Sequence, residues 1–415
     1  AKRSIDAALY SLSGTVGANI ATALVNAKNR GLKVRVIGEY DTRTTAPWTT
    51  LTSNGIPYIN DSYGINDGSG LHHNKFFVID YREGALDSVW VIMGSWNPTD
   101  PGTNDDRQNL VLIQDVALAG AYTVEFQEEW GSNTDTPNSQ NSRFGSRKLN
   151  NTPHNFIIGG VKVQSYFSPS DGTTSRIAKT LSKAEKSING SVMTFTRRDL
   201  ADTVISVKNH NRKARLVLSN DTDSGTQFSY LQSNGVDIRL KGFSDGLLHH
   251  KYAIVDAEPF GYTPYVITGS HNWSSSAENS NDENTLIIQD AQVANFYLQE
   301  FAARYYEAGG TDSINIVTSV NESEFVTSTE FSLLQNYPNP FNPVTTIRFE
   351  VPLSQKVEIV VFDILGRKVK ELYNDIAPAG IIKIEFNAED LASGMYVYQL
   401  KTKDFSISRK MVLLK

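Results

Sequence analysis

The chain has 415 residues, of which 40% are apolar, with 39 Lys and Arg against 45 Asp and Glu and no cysteine. That length exceeds one ordinary domain, the composition is that of a core-forming protein, and no apolar run approaches the ~18 residues of a membrane-spanning helix. The missing cysteine excludes a disulfide framework and thiolate metal sites. A net charge of −6 argues against a protein built mainly to grip long nucleic acid by its phosphates.

In chain order, Ile20, Ala23, Leu24 and Ala27 recur at helical spacing up to Gly31, and residues 34–37 then read as a strand. Residues 76–79 and 89–93 are short β-rich runs, placed to be neighbouring strands. Residues 116–130 predict a helix with Asp115 as its N-cap. A Ser-, Asn- and Thr-rich stretch over 132–155 reads as a linker. A strand at 161–167 and a helix at 171–183 follow, and from residue 184 the chain starts again.

The restart is an internal repeat. Ala1-Lys2-Arg3-Ser4-Ile5 matches Ala184-Glu185-Lys186-Ser187-Ile188, and Ser53-Asn54-Gly55-Ile56 matches Ser233-Asn234-Gly235-Val236. Leu71-His72-His73-Asn74-Lys75 and the residues up to Asp80 return as Leu248-His249-His250-Lys251, ending at Asp256. Each copy is trailed by a second signature, Gly94-Ser95-Trp96-Asn97 and Gly269-Ser270-His271-Asn272. The expected organisation is α/β: two pseudo-symmetric repeats over 1–131 and 156–308, each a mixed sheet flanked by helices. A second linker over 309–330 leads to a small all-β sandwich over 331–415. The strand and helix before residue 184 have no counterpart before Ala1, so repeat symmetry predicts roughly twenty further structured residues upstream.

Cleaving a phosphodiester needs a nucleophile, a proton for the leaving oxygen and positive charge around the non-bridging oxygens. Two histidines (His73, His249), two lysines (Lys75, Lys251) and two asparagines (Asn97, Asn272) around one phosphate supply all three without a metal. Asp80 and Asp256 fall at strand ends and are expected to anchor loops. With Ser95 and Ser270 they are assigned structural places in the motif. His72, His250 and His271 are expected to pack or sit at the rim, and His154 and His210 to lie on the surface. Trp90, Trp96, Trp130 and Trp273 are candidates for an apolar rim.

The paired His-x-Lys-x-x-x-x-Asp motif followed by Gly-Ser-x-Asn resembles the phospholipase D superfamily, over roughly residues 1–308. The resemblance implies a covalent phosphohistidine intermediate and needs no cofactor and no metal. It makes His73 the nucleophile and His249 the acid, with Lys75, Lys251, Asn97 and Asn272 binding phosphate oxygens. The family places a Glu before an Asn downstream of the second signature, which Glu283-Asn284 fits, whereas the first repeat has Gln108-Asn109. The expectation is therefore that Glu283 backs His249 and Gln108 backs His73, with Asp105 or Asp106 as a substitute carboxylate. The intervals between the two signatures are longer than the family's, which predicts longer hairpins there.

Residues 337–343 (Tyr-Pro-Asn-Pro-Phe-Asn-Pro), Asp363-Ile364-Leu365-Gly366-Arg367, Leu391-Ala392-Ser393-Gly394-Met395-Tyr396 and the terminal Lys410-Met411-Val412-Leu413-Leu414-Lys415 together resemble a type IX secretion sorting domain. That implies a gram-negative bacterium, passage through the periplasm, and a secreted or surface-held product that meets the type IX machinery through this domain. The favoured substrate is a phospholipid head group. A nuclease cleaving DNA or RNA is the alternative, and a non-catalytic binding module the second. A monomer is expected, with contact to a membrane surface left open.

Overall fold

The computed structural model describes all residues except 66–67, 69, 85–86, 259–262, 317–330, 352–354, 378–379 and 404. They fall into two units, 1–316 and 331–415.

The first half of the larger unit runs β1 (Ser4–Leu9), α1 (Gly14–Asn29), β2 (Lys33–Gly38), α2 (Ala46–Ser53), β3 (Tyr58–Asn60), β4 (Lys75–Ile79), β5 (Trp90–Gly94), α3 (Asp100–Asn104), β6 (Leu110–Ile113) and α4 (Val116–Trp130). Its sheet is ordered β3-β2-β1-β4-β5-β6, with β1 to β3 parallel and β4 to β6 antiparallel. The second half adds β7 (Asn155–Ile158), β8 (Val161–Ser168) and α5 (Thr173–Leu181). It then repeats the plan: β9 (Ser187–Val192), α6 (Arg198–Asn209), β10 (Lys213–Leu218), α7 (Phe228–Ser233), β11 (Asp237–Leu240), β12 (Lys251–Val255), β13 (Tyr265–Gly269), α8 (Ser275–Asn279), β14 (Glu283–Gln289) and α9 (Ala291–Glu307).

The repeat holds at the level of register. Ser4 faces Lys33 as Ser187 faces Lys213, and Leu9 faces Lys75 as Val192 faces Lys251. The helix expected over 116–130 is α4, and the Asp115 carboxylate accepts the Leu118 N–H at 2.8 Å to cap it. Beyond β14 the second sheet continues into β8 and β7, whereas β6 is an edge strand. Leu112 is accordingly 58% exposed, and its counterpart Ile287 under β8 only 2%.

Each sheet packs one face on its own helices and the other on a core common to both halves. Tyr122, Phe126 and Trp130 of α4 and Leu298, Phe301 and Tyr305 of α9 are fully buried there. Phe76, Tyr122 and Phe167 form a run of edge-to-face rings across the halves, at 5.0 and 4.9 Å. Each such side chain contributes about 1.5–3 kcal/mol by leaving water, so the halves stabilise one another.

The segment expected as a linker over 132–155 belongs to this core. Ser142, Phe144 and Lys148 are buried, and the Ser142 hydroxyl donates to the Glu129 carbonyl at 2.6 Å. The buried members of this stretch make interior contacts, while Asn133, Thr134, Ser139 and Asn150 face solvent as its composition suggests. Of the second expected linker, Ile314 is buried in the same core and 317–330 lies outside the described residues.

The smaller unit consists of β15 (Ser332–Leu333), β16 (Val344–Val351), β17 (Gln355–Asp363), β18 (Lys368–Ala377), β19 (Gly380–Asn387), β20 (Gly394–Lys401) and β21 (Ser406–Leu413). They form antiparallel sheets β15-β16-β19 and β18-β17-β20-β21 around Ile347, Phe349, Ile359, Tyr398 and Leu400. This is the all-β sandwich the alternating pattern predicts.

Candidate active site

Both motif aspartates are backbone anchors. Asp80, at the end of β4, accepts the N–H groups of Lys2, Arg3 and Ser4 and the Ser88 hydroxyl. Asp256 accepts those of Glu185, Lys186 and Ser187 at the start of β9. Each ties the end of the lysine-bearing strand to the start of its central neighbour. Burial works against Asp80, but these donors hold its carboxyl below the usual carboxylate range.

The Gly-Ser turns are equally fixed. A Cβ on Gly94 would lie 2.2 Å from the Asn109 carbonyl oxygen, and one on Gly269 2.1 Å from that of Asn284, so only glycine fits. Ser95 and Ser270 then donate their N–H to those carbonyls, and their hydroxyls accept the N–H of Asn109 and Asn284.

The halves meet through two short pseudo-symmetric bridges, His72 with Asp282 and Arg107 with Leu248. The His73 N–H donates to the Asp282 carbonyl at 3.0 Å, and that of His249 to the Arg107 carbonyl at 2.9 Å. The next residue on each crossing strand is Glu283 or Gln108, and of the two it is Glu283 that reaches the histidine of the opposite repeat. The Glu283 carboxylate takes a hydrogen bond from His73 Nδ1 at 2.7 Å. This corrects the expected assignment, because Glu283 backs His73 rather than His249, and Gln108 sits on the His249 side. The Gln108 amide donates to the Gly102 carbonyl, and its Oε1 is buried without a partner among the described residues. His249 Nδ1 donates instead to the Ser95 carbonyl at 3.1 Å. Neither Asp105 nor Asp106 backs a histidine: the Asp105 backbone carbonyl holds Arg107, and the Asp106 carboxylate accepts the Leu247 N–H.

With Nδ1 engaged on both rings, Nε2 of each is left as the reactive nitrogen. Lys75 and Lys251 are 2% exposed and donate to the carbonyls of His73 and His249 at 2.8 and 2.7 Å. Asn97 and Asn272 follow the two turns, each with a buried Oδ1 that has no partner among the described residues. Burial, then the two lysine ammonium groups and His73, pushes the His249 imidazole well below its ordinary pKa, so these groups share one field. Burial lowers His73 to about 4 against the pull of Glu283, and lowers Lys75 to about 7. Burial, with the Lys75 ammonium beside it, also pushes Lys251 well below its ordinary value. Crowded, desolvated cations of this kind are poised to take up an anion.

The remaining histidines are not a rim. His72 is fully buried with Nε2 on Glu129 at 3.2 Å, His250 has Nε2 on Glu300 at 3.1 Å, and His271 faces Glu278 at 3.5 Å. His154 is half-buried and stacks on Tyr166, while His210 is exposed at the end of α6, with Nδ1 on the Ser206 carbonyl. Trp130 and Trp273 are core residues, whereas Trp90 is 37% exposed. Sequence reasoning missed Lys148, which lies between the buried carboxylates of Glu125, Glu129 and Asp282. It also missed Tyr10, whose ring meets that of His73 edge-on at 4.7 Å. Beside His72 a cavity of about 240 Å³ is lined by Glu39, Asp41, Asp61, Asp282, Tyr40 and Phe144. Glu39 there accepts the His72 N–H at 2.6 Å.

Residues 1–130 and 177–305, the two halves just described, match the family model for the cardiolipin synthase, PLD-like domain. The chain belongs to the phospholipase D superfamily. Residues 335–414 match the secretion system C-terminal sorting domain. Among its relatives is the mitochondrial cardiolipin hydrolase of Xenopus tropicalis, 35% identical over 33% of this chain and 63% of that one. The chain thus spans just under two thirds of that relative. A phospholipase D of Rickettsia conorii is 31% identical over 34% of this chain and 69% of its own. The phosphatidylserine synthase of Haemophilus influenzae shares the two-repeat fold, with a TM-score of 0.54 at 14% identity over 74% of this chain and 82% of that one.

Proposed function

We propose that the protein is a phosphodiesterase acting through a covalent phosphohistidine, with phospholipid head groups as its substrates. The observation that carries this reading is the crossed His73–Glu283 pair, set in one field with His249 and two buried lysines. His73 Nε2 attacks phosphorus, and the bond to the leaving alcohol breaks as His249 gives that oxygen its proton. Water then attacks the phosphohistidine, giving a proton to His249, and the P–N bond breaks to restore His73. Glu283 stabilises the imidazolium that carries the phosphoryl group. Lys75, Lys251, Asn97 and Asn272 hold the non-bridging oxygens. The bound phosphate, being anionic, raises His249 so that it can act as the acid.

The net charge of −6 supports lipid over nucleic acid, because a protein that grips a polyanion by its phosphates carries a basic surface. The curated relatives named for cardiolipin hydrolysis support the same reading. The test is a parallel assay on phosphatidylcholine vesicles, plasmid DNA and bis-p-nitrophenyl phosphate. Head-group release without DNA nicking is expected. Nicking alone would make the protein a nuclease, and silence on all three would make it a binding module. His73→Ala and His249→Ala are each expected to abolish turnover.

The pH profile of kcat/KM is a second test. His73 must be neutral to attack, so activity is lost as pH falls through about 4. Lys75 must be charged to hold phosphate, so activity is also lost as pH rises through about 7. A bell between those values is expected, and a flat profile across neutrality would refute the lysine's role.

We also propose that the C-terminal unit directs export through the type IX machinery. Deleting residues 331–415 is expected to leave turnover intact and hold the protein inside the cell. The site is complete in one chain, which supports action as a monomer.

A further inference from the structure

The two halves differ at one more position beside the lysines. Residue 10 directly follows β1 and residue 193 directly follows β9, at places made equivalent by the Leu9–Lys75 and Val192–Lys251 pairings. In the first half the Lys75 ammonium lies 4.9 Å from the centroid of the Tyr10 ring, which also meets the His73 ring edge-on at 4.7 Å. In the second, the residue at that place offers Lys251 its thioether instead of a ring, with the Met193 sulfur at 3.4 Å.

We propose that Tyr10 is a positioning residue of the catalytic site, its ring face keeping Lys75 a cation and its edge holding the His73 ring in line. Met193 gives Lys251 no such support. This inference rests on the phosphodiesterase reading for its consequence in turnover, but not for the state of Lys75 itself.

The physical basis is the ring quadrupole, which attracts an ammonium and does nothing for a neutral amine. A thioether is a weak acceptor from either form, so it biases the charge little. Burial brings Lys75 to about 7, where a modest bias decides its charge at neutral pH. The charge of Lys75 therefore has a support that Met193 does not give Lys251. His73 and Lys75 thereby have three neighbours that His249 and Lys251 lack among the described residues: a carboxylate behind the histidine, a ring under the lysine and a ring edge on the imidazole.

The test uses the full chain with Tyr10→Phe and Tyr10→Met, reading kcat/KM on bis-p-nitrophenyl phosphate against pH. Binding of inorganic phosphate against pH reads the charge of Lys75 without turnover. Tyr10→Phe is expected to stay within about twofold of the parent, with the alkaline limb unmoved, because the ring face is retained. Tyr10→Met is expected to move that limb, and the phosphate-binding curve, about one pH unit lower, and to cut kcat/KM about fivefold at pH 7. A merely loosened fold lowers activity without moving the limb. An unmoved binding curve in Tyr10→Met overturns the inference, as does a Tyr10→Phe as impaired as Tyr10→Met. A parent that binds phosphate with the expected shift in Tyr10→Met but cleaves no diester defeats the phosphodiesterase reading alone.

Discussion

Glu283→Gln is expected to lower kcat by roughly 10³–10⁴-fold while moving the unfolding midpoint little. Glu283 is fully buried and takes the His73 Nδ1 proton at 2.7 Å, with the Asn281 amide donating to its other oxygen at 3.2 Å. Burial alone would raise its carboxyl, but His73 and Lys75 beside it hold it below the usual range, so it stays ionised. A glutamine has the same shape and keeps the contacts, so the fold loses little. It loses the charge that stabilises an imidazolium in a site from which water is excluded, and it can present an N–H where an acceptor is needed. Both faults fall on the step in which His73 becomes a phosphoryl carrier. Steady-state kinetics on the substrate that the parallel assay selects will measure the drop, and an alkaline denaturing quench with labelled substrate will locate the phosphoryl group. A loss below about tenfold, or label on His249, would remove His73 from the role of nucleophile.

Lys148→Met is expected to destabilise the larger unit by about 3–5 kcal/mol above pH 7, and by less in mild acid. The lysine comes from the segment between the repeats and lies 3.3 Å from Asp282 and 3.9 Å from Glu129, with its closest contact to Glu125. All four groups are buried. Removing the ammonium leaves three carboxylates facing one another out of water. Burial already pushes Glu125 well above its ordinary value and Asp282 up to about 7. A carboxyl raised in the folded state binds protons that the unfolded chain releases, so stability falls as pH rises from about 4 to about 7. Without Lys148 that window extends upward, so the deficit is largest at pH 8 and shrinks by pH 5. Denaturant titrations at the two values will show it. A loss under about 1 kcal/mol at pH 8 would mean that the cluster relaxes into water. Since Asp282 directly precedes Glu283, any surviving activity is also expected to fall.

The sequence is most legible where one residue type recurs under one geometric demand. Residues 116–130 keep an inward apolar face and begin at an Asp, and they are a helix capped by that Asp. The duplicated motifs show that there are two half-sites, because His and Lys two apart on a strand start must point the same way. The pairing of Glu283 with His73 is not legible. It depends on a bridge of a single residue pair between distant strands, which leaves no periodicity and no local signal. Spacing within one repeat suggests the nearer histidine, and a crossed interface defeats that inference. Lys148 is hidden for a related reason. A Ser- and Asn-rich stretch reads as solvated, and nothing local says that its lysine meets carboxylates from α4 and from residue 282. Tyr10 follows a buried strand as any aromatic might, and only the fold places it under Lys75.

The crossed carboxylate bears on how a duplicated protein can change. Two identical copies must each present a carboxylate to the other's histidine, and neither can lose it without harming both. Once both copies lie in one chain, a substitution in one alters a single histidine. The proposed reaction uses its two histidines for different tasks, so a chain that can edit them separately can give each its own surroundings. Gln108 opposite Glu283, and Met193 opposite Tyr10, are differences that a single chain permits and two identical copies do not. The covalent join between the halves is therefore more than a tether. It is what permits one active site to have a left hand and a right.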